Sequence, residues 1–240
     1  MLGPDCGKDP LANEQPLGRG FFQAFRGLFG CTKPADLALY RQMLPEKFEM
    51  PADPQVCFYV FHFAISGVGP YNEAAILMPI TYAGQAGKYV LTMPLDNLAA
   101  SSGGRAQGFP KYIAEEVSVS EDGTNWTGVV RNAGEIDLQA SYTGACREGG
   151  DFPFPDFINL TPIAISASQN AAYIAPRTGS ALVIPAEYLV EPKFYSLQGS
   201  VQMQINDALP WNGLFDESQA FPAQLVTFKG GIDLGSRALD

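Results

Sequence analysis

Lys111 closes the segment Gly104–Lys111, GRAQGFPK, directly after Phe109 and Pro110. Only 17 % of the residues are charged, so this lysine has mainly apolar neighbours. Desolvation penalises an ammonium ion and favours the neutral amine. A neutral amine adds to a ketone, loses water and becomes an iminium ion. The positive nitrogen then withdraws electrons from the adjacent carbon. A β-carboxylate can leave as carbon dioxide, or an α-proton can be removed for aldol chemistry. The bland alternative is a surface lysine at the start of a strand, and residue type alone does not separate the two.

Other chemistries find little support. His62 is the one histidine and lies in an apolar run, so it reads as a core imidazole rather than a metal ligand. There is no Gly-x-Ser-x-Gly elbow, P-loop or dinucleotide fingerprint. No metal or cofactor is expected, since iminium chemistry needs neither. The net charge of −10 argues against nucleic acid and anionic membrane as partners, both of which need a positive field. An anionic substrate must therefore be captured by a local cation. Cys6, Cys31, Cys57 and Cys146 are widely spaced and read as free thiols in a reducing compartment. The N-terminus has no signal-peptide pattern, and no apolar run approaches the roughly 18 residues of a membrane helix. A cytoplasmic location is the expectation, and the sequons at Asn125 and Asn159 read as chance tripeptides.

The elements that must position Lys111 are mostly strands. The 25 Gly and 19 Pro supply many turns and few long helices. Residues 1–19 read as a flexible arm, and 20–240 as a single domain. Residues 34–44 predict a short helix stopped by Pro45. Apolar or alternating runs predict strands at 55–66, 74–82, 88–93, 116–120, 126–131 and 136–142. Further strands are expected at 162–168, 181–184, 201–206 and 224–228. Asp122-Gly123 and Ala133-Gly134 mark hairpin turns, which points to antiparallel meanders. Residues 149–157 read as an aromatic loop.

Three blocks carry a resemblance: PYNEAAILMPI at 70–80, Met93–Asn97, and GRAQGFPK. Their order and spacing resemble the central signature of the acetoacetate decarboxylase family. Upstream, Arg26 and the run LYRQMLPEKFE (39–49) fit the same pattern without gaps. Trp211-Asn212-Gly213 is fainter support downstream. The resemblance implies a mostly β, α+β fold: an antiparallel sheet closed as a cone or barrel, with a few flanking helices and the site inside. It implies that Lys111 makes the Schiff base and that Glu73 orients substrate or exchanges protons. Arg26 falls where the family places an arginine near the substrate carboxylate. Met93, Phe109 and Tyr112 are expected to line the substrate. The implied partner is a small keto acid, and the implied assembly is a homo-oligomer.

The chain also departs from the family pattern. The family's decarboxylase is the standing example of a lysine activated by burial or by a cationic neighbour. Here Tyr112 occupies the place of the second lysine, so burial is the remaining visible cause. Tyr112 could donate a proton or be a core aromatic. The family's acidic residue on the preceding strand aligns with Phe58, and the Glu after Gly-Arg is Ala106. These losses argue against acetoacetate itself. They leave a β-keto acid decarboxylase, a Schiff-base aldolase-dehydratase or cyclase, and a non-catalytic ligand-binding cone as the readings.

Overall fold

A computed structural model describes residues 22–46, 48–82, 84–106, 109–148, 163–164, 182–183, 186–234 and 237–238. The arm at 1–19, the loop at 149–157 and Asn159 lie outside them. The main sheet is built from β1 (Phe22–Thr32), β2 (Val56–Ser66), β3 (Tyr71–Tyr82), β4 (Gln85–Leu95), β5 (Lys111–Ile113), β6 (Glu116–Asp122), β7 (Asn125–Asn132), β8 (Glu135–Glu148), β11 (Ala186–Ile205) and β12 (Phe221–Leu234). Its order is β5-β4-β3-β2-β1-β12-β11-β8-β7-β6. The short strands β9 (Ile163–Ala164), β10 (Leu182–Val183) and β13 (Arg237–Ala238) form a second, three-stranded sheet. Among the described residues two helices accompany them, α1 (Leu37–Met43) and α2 (Leu98–Ala106).

Every described strand pair is antiparallel except β4 with β5, which runs parallel through the α2 crossover. Both expected hairpin turns form. Gly123 joins β6 to β7 at φ 64°, a left-handed conformation that glycine adopts without penalty. β6 packs across β2 and β3, and β7 across β1 and β2, so the sheet curls back on itself. No described hydrogen bond joins β5 to β6, so the two edges stay distinct. The expected closed cone is therefore a strongly curled sheet with open edges.

The curl gives the strands β1 to β4 two buried faces. One face carries Leu28, Phe58, Val60, Ala74, Ile76 and Met78, packed against Val117, Trp126 and Leu138. The other carries Phe25, Tyr59, Phe61, Tyr71, Ala75, Leu77 and Met93. Two-sided burial explains why QVCFYVFHFAIS is a near-continuous apolar run rather than an alternating one.

Three expectations are corrected here. Cys31 and Cys57 are not free thiols: they face each other across β1 and β2 and form a disulfide. Such bonds persist in oxidising surroundings, which removes the cysteine argument for a reducing compartment. His62 is not a core imidazole. It is exposed, with Nδ1 2.9 Å from Asn72 Oδ1. The first helix starts at Leu37 because the Asp36 carboxylate accepts from the amides of Ala38 and Leu39, capping it there. Among the described residues no helix is long and apolar enough to cross a membrane.

Candidate active site

Lys111 and Glu73 meet on the second face. Lys111 Nζ donates to Glu73 Oε2 at 2.5 Å, and the two residues are 5 % and 3 % exposed. The other carboxylate oxygen, Oε1, accepts from the Tyr59 hydroxyl at 2.6 Å. Both oxygens of a buried carboxylate are thus engaged, which is what keeps a charge tolerable away from water. The Lys111 ammonium lies 5.8 Å from the Phe109 ring centre and 5.9 Å from that of Tyr71.

Backbone pairing sets this meeting. Glu73 stands on β3 opposite Phe61 of β2 and Leu95 of β4. Lys111 opens β5 opposite Met93 of β4. The segment Leu95-Asp96-Asn97 locks the corner. Asp96 accepts from the backbone and side chain of Asn72, at 2.8 and 2.7 Å, which fixes the entry to Glu73. Asn97 Oδ1 accepts from Ala100 N and caps α2. The helix then returns the chain to β5, where Lys111 N donates to Phe109 O.

The sequence reading has no helix at 98–106, because LAASSGGRA combines two glycines with two serines of modest helix propensity. Gly104 is there for space. A Cβ on it would lie 2.4 Å from Lys111 Cδ and 2.5 Å from Cε. The glycine of the Gly-Arg motif is the floor over which the lysine side chain runs.

Burial and the Glu73 charge hold the Tyr59 phenol well above its ordinary value. Burial, then Glu73 and Asp96, do the same for Tyr71. Both stay protonated donors at neutral pH. The arrangement can pass a proton from Nζ to Glu73 and leave a neutral amine in a dry, aromatic setting, which is what attack on a carbonyl requires. A cavity of about 510 Å³ opens at the far end of the same face, beside Cys31, Cys57, Lys88 and Gln224; neither Lys111 nor Glu73 lines it. Among the described residues no group of three or more His, Cys, Asp or Glu could hold a metal ion.

The family model for acetoacetate decarboxylase matches residues 26–158, more than half of the 240. The chain belongs to the acetoacetate decarboxylase family. The acetoacetate decarboxylase of Ralstonia nicotianae is 40 % identical over 91 residues, 37 % of this chain and 36 % of that protein. The aligned stretch thus spans about a third of that relative's length. A solved acetoacetate decarboxylase superposes with a TM-score of 0.74 at 18 % identity, covering 100 % of this chain and 98 % of the other. The enduracididine biosynthesis enzyme MppR, solved in complex with pyruvate, gives 0.66 at 18 % identity, covering 100 % and 98 %.

Against the family pattern, the residues expected at the site divide between two faces. Lys111, Glu73, Met93 and Phe109 share one. Arg26 lies on the other: its guanidinium stacks on Trp126, 4.2 Å from the ring centre, and sits 3.8 Å from Glu121. The reason is parity. Phe25 points to the Lys111 face, so its neighbour Arg26 points away. Tyr112, next to Lys111, packs against the first cluster for the same reason. Phe58 also faces away, and the β2 residue that reaches Glu73 is Tyr59. Sequence reasoning missed Tyr59 because FYVFHF offers an aromatic at nearly every position. The signal that could have found it is the pairing of Phe61 with Glu73, which puts Tyr59 on the same side of β2 two residues away.

Proposed function

We propose that this protein is a carbon–carbon lyase that forms a Schiff base between Lys111 and a small keto acid. One observation carries the reading: a buried Lys111 ammonium hydrogen-bonded to the Glu73 carboxylate, within the stretch that matches the family. Proton transfer from Nζ to Glu73 Oε2 frees the nitrogen lone pair, which attacks the ketone carbon. The carbinolamine oxygen takes a proton and leaves as water, giving the iminium ion. With a β-keto acid, the bond to the carboxylate breaks, carbon dioxide departs and its electron pair forms an enamine. Protonation at carbon and hydrolysis of the imine release the ketone and the free lysine.

A second reading is supported by a neighbour of the same fold. MppR, which has the same fold, was also solved with the condensation product of pyruvate and imidazole 4-carboxaldehyde. On this reading the iminium loses an α-proton and the enamine attacks an aldehyde, an aldol and dehydration sequence.

Borohydride reduction in the presence of pyruvate or acetoacetate tests the shared step. The expected product is a reduced keto acid adduct on the Lys111 peptide, seen by mass spectrometry. Its absence across varied keto acids defeats the proposal. Carbon dioxide release from β-keto acids, against deuterium exchange at the pyruvate methyl group, separates the two readings. The expected homo-oligomer belongs to the same proposal and is checked by light scattering.

A further inference from the structure

Tyr71 opens β3, two residues before Glu73 and on the same face of the strand. The residue is 2 % exposed. Its ring stacks on Phe63, centres 4.7 Å apart at 11°, and the Lys111 ammonium lies 5.9 Å from its centre. Yet the Tyr71 hydroxyl oxygen is buried, and among the described residues no group hydrogen-bonds to it. Tyr59 makes the contrast: a phenol on the same face, equally buried, whose hydroxyl is bound to Glu73 Oε1. A buried hydroxyl left unmatched costs about 1–3 kcal/mol, whereas an apolar group of the same shape costs nothing comparable. Phenylalanine would keep the stack on Phe63 and avoid that penalty. The hydroxyl therefore calls for a partner that arrives from outside the chain.

Resting on the Schiff-base reading above, we propose that the Tyr71 hydroxyl is the hydrogen-bond donor to the substrate oxygen on the carbon that Lys111 attacks. The nitrogen and that oxygen end up on one carbon atom, so their protein partners must be neighbours, as the Tyr71 ring and Nζ are. The Glu73 carboxylate beside both groups disfavours a substrate carboxylate at this point and suits a neutral carbonyl. As attack proceeds the carbonyl oxygen gains negative charge, and a fixed neutral donor then binds it more strongly than in the ground state. Tyr71 keeps its proton throughout. The proton that departs with the carbinolamine oxygen as water comes from the Lys111–Glu73 couple.

The test compares the unaltered protein with Tyr71→Phe, reading the borohydride-trapping rate with saturating pyruvate and the thermal midpoint. Trapping is expected to slow by on the order of 100-fold. The midpoint is expected to stay level or rise, because no internal hydrogen bond is lost. An unchanged trapping rate overturns the inference while leaving the Schiff base intact. A midpoint that falls together with the rate identifies a structural hydroxyl and also overturns it. No adduct in the unaltered protein defeats the Schiff-base reading, and this inference with it.

Discussion

Gly104 lies against Lys111 so closely that a Cβ added to the glycine would stand 2.4 Å from the lysine Cδ and 3.2 Å from its Nζ. The helix that carries Gly104 is thereby tied to the reach of the lysine, across the short connection from α2 to β5.

Gly104→Ala is expected to push the lysine side chain out of line with Glu73. Alanine gains about 1 kcal/mol of helix propensity over glycine, so α2 itself should not unravel. A displacement of about 1 Å can cost on the order of 100-fold in rate. Keto acid trapping should fall by that order while far-UV circular dichroism stays unchanged. Trapping at the unaltered rate would show that the lysine has another path to its position.

Lys111→Met removes the cation from a buried carboxylate and should cost about 3–5 kcal/mol in urea unfolding. Glu73→Gln in the same protein should recover much of the loss, since a neutral amide can still accept from Tyr59. A double-mutant cycle with additive effects would mean that the pair is not coupled in solution.

Arg26→Met tests the division between faces. The guanidinium stacks on Trp126 and does not reach Lys111, so trapping kinetics should change by less than about two-fold. Loss of the cation–π contact should still cost about 1 kcal/mol of stability. A large rise in the keto acid concentration needed for trapping would put Arg26 back at the substrate.

Alkaline pH should destabilise the fold through its buried phenols. Burial raises Tyr89 and Tyr142 to about 12 from the ordinary 10.0, and holds Tyr59 and Tyr71 well above it. Each group binds its proton more tightly folded than unfolded. Its contribution is complete below pH 10 and is lost as the pH rises through the folded values. Thermal midpoints should decline from about pH 10 upward, with the tyrosinate absorbance rising late. Midpoints flat through pH 12 would contradict the burial of these rings.

Much of this was legible beforehand. The hairpin turns at Asp122-Gly123 and Ala133-Gly134 were marked by their glycines, both at positive φ, and the alternation at 201–205 lies within β11. β1 was not legible. FQAFRGLFGCT has two glycines, and its pairing shifts register on both sides of Ala24, so no period of two survives along it. The disulfide was equally hidden, because Cys31 and Cys57 are 26 residues apart and become neighbours only through the β1–β2 register.

The sequence by itself determined the chemistry on offer: a lysine after Phe-Pro, a glutamate two residues past a tyrosine, and a spacing shared with one family. Those are properties of short segments, fixed by residue type and order. Only the tertiary structure decided which groups share a face. It turned Arg26 and Tyr112 away from Lys111, brought Tyr59 to Glu73, left the Tyr71 hydroxyl unmatched and assigned Gly104 its purpose. The physical reason is that side chains on a strand alternate sides, so a one-residue shift or bulge reverses every assignment after it. That shift is set by pairing with strands distant in the chain, which no local window contains.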